Sequence, residues 1–178
     1  LDPYLYTQSG YSLPLKRIYE RLFDIPNLKH AGAIQYTTDE EAKRAAFLNL
    51  GAPWVVVRSG IDWGDYAELP RRGSFRHQLG LRADQPLTLF LGRLNFKKGL
   101  DLLIPAFGKV LHALPDACLA IVGPDNEGLG AKVRQWCVDS GLEQQVIFVD
   151  HIPPEECRQA YVDADVFALT SYTENTGM

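Results

Sequence analysis

Between residues 87 and 170, short apolar runs rich in β-branched residues alternate with stretches of helical spacing. Runs at 87–91, 117–122, 146–149 and 166–170 are predicted strands. The segments 100–113, 130–140 and 154–164 between them are predicted helices, the last with Pro near its first position. Each connection is too long for a hairpin and the right length for a crossover, so the strands run parallel. Strands that are apolar almost throughout are buried on both faces. The fold class is therefore α/β, with a parallel sheet covered by helices on both sides. Such sheets bind ligands at the carboxyl ends of their strands.

Composition narrows the options for function. The chain has 178 residues, 46% apolar and 22% charged, with a formal net charge of −4. That balance describes an ordinary globular protein of one large domain or parts of two, and it argues against a general nucleic-acid binder. No apolar run reaches the length of a membrane span. The start, Leu1-Asp2-Pro3-Tyr4, has no signal-peptide character, and the absence of an initial Met leaves room for an upstream segment. Cys118, Cys137 and Cys157 have neither zinc-ligand nor redox spacing. They read as reduced, mostly buried thiols of a cytoplasmic protein.

Before residue 87 the organisation is different. Residues 1–14 read as a loop. Apolar residues at 15, 18, 19, 22 and 23 predict a helix, and 33–36 a short strand. Thr37 with Glu40, and Thr38 with Glu41, form overlapping capping boxes for a helix expected to run to Leu50 and stop at Gly51. Residues 54–57 are a candidate buried strand. Pro70, Gly73, Gly80 and Pro86 mark 63–86 as a linker with a short helix near 74–79.

Three loops carry chemistry. After the first strand of the regular part comes Gly92-Arg93-Leu94-Asn95-Phe96-Lys97-Lys98-Gly99. Gly92 leaves the backbone open to a ligand. Arg93 offers a planar fork, Lys98 a mobile charge, and the following helix start free N–H groups, which together suit phosphate. The dinucleotide fingerprint is absent, because six residues separate Gly92 from Gly99 with no third Gly at the needed offset. The loop from Gly123 to Lys132 has phosphate-loop glycine spacing but lacks its Lys and its Ser or Thr, and reads as a turn on one rim of a pocket. The last segment, from Thr170 to Met178, brings Glu174, Asn175, Thr176 and Gly177 to a strand end. Glu174 could accept hydrogen bonds from sugar hydroxyls. His30, His77, His112 and His151 show no metal-ligand spacing. His151, just past a strand end, is either structural or part of the pocket. Asp39-Glu40-Glu41 reads as helix capping.

In order along the chain, these motifs resemble the retaining, nucleotide-sugar-dependent glycosyltransferases of the two-domain GT-B fold, glycosyltransferase family four. The resemblance rests on Leu91-Gly92-Arg93-Leu94, Lys98-Gly99-Leu100-Asp101, Leu114-Pro115-Asp116-Ala117 leading into Ile121-Val122-Gly123, and Val146-Ile147-Phe148. It continues through Tyr161-Val162-Asp163-Ala164-Asp165-Val166-Phe167 and Ser171 with Glu174-Asn175-Thr176-Gly177-Met178. Thr38-Asp39-Glu40-Glu41 and Ser59-Gly60-Ile61-Asp62 extend it upstream.

The resemblance implies that residues 1–62 are the end of a Rossmann-like acceptor-side domain and 63–86 a linker. Residues 87–178 would be a Rossmann-like donor domain, incomplete at its C-terminus. It implies that Gly92, Arg93 and Lys98 bind the donor diphosphate, and that Glu174, as the catalytic-region carboxylate, lies with Asn175, Thr176 and Gly177 at the donor sugar. His151 and Ile152 would lie on the base side. A UDP- or GDP-sugar is the implied donor, no cofactor or metal is expected, and the acceptor is a sugar, lipid or small molecule. Where the acceptor is lipid-linked, the resemblance also allows peripheral membrane contact. The family often has Pro-Asn where Arg58-Ser59 stand, and usually an aromatic at Thr176. Its second Glu, eight positions after Glu174, would fall beyond Met178. These departures lead to the expectation that the fragment alone is inactive. A sugar-nucleotide epimerase or other GT-B-fold enzyme, and a non-enzymatic nucleotide-binding module, are the alternatives.

Overall fold

A computed structural model describes residues 13–172 and Glu174. The chain divides into two compact units, one spanning Asp62–Tyr172 and the other containing the residues up to Ile61, with Glu174 grouped outside the Asp62–Tyr172 unit.

In the first unit, the helix predicted near 15–23 is longer and interrupted. Helix α1, Leu13–Tyr19, passes through a π-type turn, Glu20–Asp24, into α2, Ile25–Lys29. Pro26 has no N–H to offer the carbonyl four residues before it. In the turn preceding it, Ile25 N–H bonds back to Glu20 O, five residues away. Strands β1, Ile34–Tyr36, and β2, Trp54–Val56, pair in parallel, with Ile34 opposite Trp54. Helix α3, Asp39–Ala45, lies between them in sequence. One capping box forms rather than two overlapping ones. Thr38 Oγ1 accepts from Glu41 N–H at 3.0 Å, and the Glu41 carboxylate takes both the N–H and the hydroxyl of Thr37. The Thr37 N–H and hydroxyl hold the Glu41 carboxyl below its ordinary pKa. The helix also ends earlier than expected. A 3₁₀ turn, Ala46–Leu48, leads to Asn49 with φ 46°, so the left-handed residue is Asn49 and not Gly51. Trp54 and Val55, expected to be buried, are exposed.

In the second unit, β3, Leu87–Leu91; β4, Cys118–Val122; β5, Val146–Val149; and β6, Val166–Phe167, form one parallel sheet in the order β5-β4-β3-β6. Alternate side chains supply two cores. Phe90, Leu119 and Ile121 face α5, Leu100–Val110, and α6, Gly130–Asp139. Leu87, Leu89, Cys118, Ala120 and Val122 face α4, Ser74–Gln78, and α7, Pro154–Asp163. The chain winds outward from β3 to β5 through α5 and α6. It then crosses the other face through α7 to pair β6 with β3. Because crossovers are right-handed, this reversal puts the return helix on the opposite face and opens a crevice between the carboxyl ends of β3 and β6.

Strand β6 is shorter than the predicted 166–170. Its last ladder bond is Ala168 N–H to Leu89 O, after which the Thr170 hydroxyl leaves the sheet for Lys98 O and Gly99 O.

The expected linker, 63–86, is packed into this unit. Phe75 and Arg76 are each 2% exposed. The Asp163 carboxylate, fully buried, accepts from the N–H groups of Gly73, Phe75 and Arg76 and so fixes the start of α4. The buried Arg76 guanidinium donates to Asp163 O, Gln85 O and Asp165 Oδ2, and Asp165 also receives Leu87 N–H and Arg72. Burial pushes the Asp165 carboxyl upward. The Leu87 N–H and the two guanidinium groups outweigh it, leaving the carboxyl below its ordinary value of 3.8. This network closes the amino edge of the sheet.

Candidate functional site

The carboxyl edge is built around the loop from Gly92 to Gly99. Gly92 N–H donates to Val122 O and Leu94 N–H to Pro124 O, so the loop runs on beside the end of β4. The contact depends on Gly123, where φ is +144° and a Cβ would fall 2.0 Å from Gly92 O. Asn95 Oδ1 accepts from Lys97 N–H at 2.8 Å, starting a 3₁₀ turn, Phe96–Lys98, and its amide also donates to Glu127. Gly99, at φ +64°, ends the turn and opens α5. A Cβ there would lie 2.1 Å from Thr170 O. Only glycine permits both the left-handed turn and this close approach of the β6 loop.

The loop after β6 is fastened to this turn. Tyr172 N–H donates to Lys97 O at 2.8 Å, its hydroxyl to Asp101 Oδ2 at 2.6 Å, and its ring stacks on Phe96 with centroids 5.9 Å apart. The crevice between β3 and β6 therefore has two walls bonded to each other.

Gly92, Arg93 and Lys98 come together on this loop. At Gly92 the backbone conformation rather than crowding favours glycine, since φ is +159° and a Cβ there would meet nothing closer than Phe90 Cζ at 3.8 Å and Lys98 Cε at 4.0 Å. That last distance places the Lys98 stem beside Gly92. Arg93 is exposed, and among the described residues no carboxylate pairs with it. The start of α5 has no side-chain cap. By contrast, both oxygens of Asp125 accept from Leu129 and Gly130 N–H at the start of α6. The Gly123–Gly128 loop is thus closed to an anion by its own carboxylate, whereas Gly99, at the N-cap of α5, brings no side chain to that helix start.

Glu174 is exposed and outside the second unit, while Asn175, Thr176 and Gly177 lie outside the described residues. His151 is exposed just past β5. The Ile152 side chain is buried in the core with Leu87 and Val122, so what it offers a ligand is its backbone. Burial pushes the Cys118 and Cys137 thiols up to about 11, which makes them core residues and poor nucleophiles at neutral pH. Among the described residues, no three His, Cys, Asp or Glu side chains group in a way that could hold a metal, and no helix is long and apolar enough to cross a membrane.

Asn95, Thr170, Asp101 and Tyr172 shape the site, and the sequence analysis gave none of them a role of its own. Asn95, two residues before Lys97, carries the local signature of an Asx turn. Tyr172 and Asp101 are 71 residues apart and carry no such signal.

A doubly wound parallel sheet with a cationic loop at its switch point defines the class: α/β proteins that hold an anionic ligand at the strand ends. Residues 72–178, more than half of the chain, match the family "Glycosyl transferases group 1", and the chain belongs to that family. It is similar to a GDP-mannose-dependent alpha-(1-6)-phosphatidylinositol monomannoside mannosyltransferase of Mycolicibacterium smegmatis, 36% identical over 122 residues, covering 67% of this chain and 31% of the relative. A D-inositol 3-phosphate glycosyltransferase of Nocardia farcinica is 31% identical over 69% of this chain and 28% of its own length. The chain thus spans about three-tenths of these relatives. Among solved structures, sucrose-phosphate synthase from Thermosynechococcus elongatus matches with a TM-score of 0.76 at 24% identity, covering 96% of this chain and 43% of that one. Anabaena HepE, solved with UDP and glucose, matches with a TM-score of 0.69 at 23% identity over 94% and 44%. The fold is the parallel Rossmann-like fold of GT-B glycosyltransferases.

Proposed function

We propose that this chain carries the donor side of a retaining glycosyltransferase of family four. In the complete protein it moves a sugar from a nucleoside diphosphate sugar to an acceptor hydroxyl. The observation that carries this is the Gly92–Gly99 loop, with Arg93 and Lys98 at the β3–β6 switch point beside an uncapped helix start. Family membership and relatives named as transferases support transfer over epimerisation or ligand binding without turnover.

The C1–O bond to the diphosphate breaks as the acceptor oxygen bonds to C1 on the same face. The acceptor proton leaves with the departing phosphate oxygen. Arg93 and Lys98 stabilise the charge that develops on the leaving diphosphate, so the step needs no metal. Glu174, with the backbone of Asn175, Thr176 and Gly177, holds the donor sugar. His151 and the backbone at Ile152 border the base. Residues up to 62 belong to the acceptor-side domain, and the segment 63–86, whose α4 packs into the second unit, joins it to the donor domain. The chain alone binds donor weakly and does not turn over.

Calorimetric titration with a nucleoside diphosphate tests the site. Charge-assisted hydrogen bonds contribute about 1.5–3 kcal/mol each. Arg93→Ala combined with Lys98→Ala is expected to weaken binding by about 100-fold or more. Unchanged binding in the folded double variant would overturn the assignment.

A further inference from the structure

Tyr172 is attached at three separate points to the Gly92–Gly99 loop and the helix that follows it. Its N–H donates to Lys97 O at 2.8 Å, its ring stacks on Phe96 with the planes 12° apart, and its hydroxyl donates to Asp101 Oδ2 at 2.6 Å. Phe96 and Lys97 belong to the 3₁₀ turn, and Asp101 stands in the first turn of α5. Leu100, Leu103 and Ile104 bury that turn of α5 in the core, so Asp101 is a fixed point. The 2.6 Å bond has the length of a hydroxyl donating to an ionised carboxylate. The other oxygen, Asp101 Oδ1, is buried, and among the described residues nothing donates to it. Burying a carboxylate oxygen without a donor costs stability. Asp125 gives both its oxygens to the start of α6, whereas Asp101 gives one to a phenol 71 residues away and leaves the other unmet. Local helix stability does not account for that arrangement; holding Tyr172 does.

We propose that Tyr172, held by Asp101, is a positioning residue that ties the segment carrying Glu174 to the turn carrying Lys98; the inference rests on the donor-side function above. Three attachments fix the orientation of Tyr172 as well as its place, and so the direction in which the chain leaves it. Glu174 is the second residue after Tyr172, a span of at most about 7 Å. The carboxylate for the donor's sugar and the lysine for its diphosphate are thereby kept in one register. Tyr172 acts through Glu174 rather than by touching the donor. The hydroxyl is the part that matters, because a phenyl ring in its place keeps the stack and the backbone bond but leaves the Asp101 carboxylate with no donor among the described residues.

The test is titration of the chain with two ligand pairs, GDP with GDP-mannose and UDP with UDP-glucose. The pair that binds is then carried through Tyr172→Phe, Glu174→Ala and the double variant, each shown folded by circular dichroism. Tyr172→Phe is expected to weaken the sugar nucleotide by about five- to ten-fold and the nucleoside diphosphate by less than about two-fold. In the Glu174→Ala background the same change is expected to weaken the sugar nucleotide by less than about two-fold further, because residues that act as one unit do not add. An equal loss for both ligands, no loss for either, or a full loss retained in the Glu174→Ala background would overturn the positioning role and leave the donor site standing. Binding of no nucleotide by the folded chain would overturn the donor site, and this inference with it.

Discussion

At the amino edge of the four-stranded sheet, Arg72 and Arg76 meet Asp165, and Asp163 takes three backbone N–H groups. At the carboxyl edge, Arg93 is exposed and among the described residues has no carboxylate partner, and the N-cap of α5, Gly99, makes no side-chain cap. The two edges use similar residue types. At the first, every charge is answered inside the protein and the helix start is capped, so nothing remains for a ligand. At the second, the loop is shaped by Asn95, Gly99, Gly123 and Thr170, and among the described residues its Arg93 has no carboxylate partner. Buried charge that is neutralised belongs to architecture, and an exposed guanidinium such as that of Arg93 is a candidate to meet a ligand.

Removing the Asp163 carboxylate is expected to have the largest effect. Asp163→Ala leaves the N–H groups of Gly73, Phe75 and Arg76 without an acceptor, and urea melts should show a loss of about 3–5 kcal/mol. Arg93→Ala with Lys98→Ala should change the same melts by less than about 0.5 kcal/mol. A large stability loss in that pair would erase the distinction between the edges.

Thr170→Val tests the link between the two walls of the crevice. Its hydroxyl lies 2.8 Å from Gly99 O and 3.1 Å from Lys98 O, and its loss is expected to cost about 1 kcal/mol in the same melts. Nucleotide affinity should also fall by a few fold, because Lys98 is no longer held in place. Unchanged affinity would show that the clamp shapes only the fold.

Asp165 gives the smallest effect and has a defined sign. Its folded-state pKa lies below 3.8, so its contribution to stability is complete above the unfolded value and is lost as pH falls through the folded one. Melting temperature should stay level above about pH 5 and decline below about pH 4. Asp165→Asn should be less stable at neutral pH and decline less in acid.

The strands at 87–91 and 146–149 were readable from sequence because continuous apolar runs bounded by turns permit little else. The helix expected to reach Leu50 stops at Ala45, because a 3₁₀ turn and the left-handed Asn49 intervene; glycine was the expected terminator, and asparagine served. Of the site, Gly92, Arg93 and Lys98 were legible since one loop carries them all. The pairs that hold that loop and close the opposite edge, Tyr172 with Asp101 and Arg76 with Asp165, are 71 and 89 residues apart, and only the β3–β6 pairing brings them together.

The contrast between the edges can be observed directly in the amide NMR spectrum of the ¹⁵N-labelled chain as GDP is added. The expected result is shift changes concentrated at Gly92–Asp101 and Thr170–Tyr172, with Gly73–Gln78 unmoved. Changes centred on Gly73–Gln78 and Asp163–Asp165, or none at the Gly92–Gly99 loop at saturating nucleotide, would contradict it.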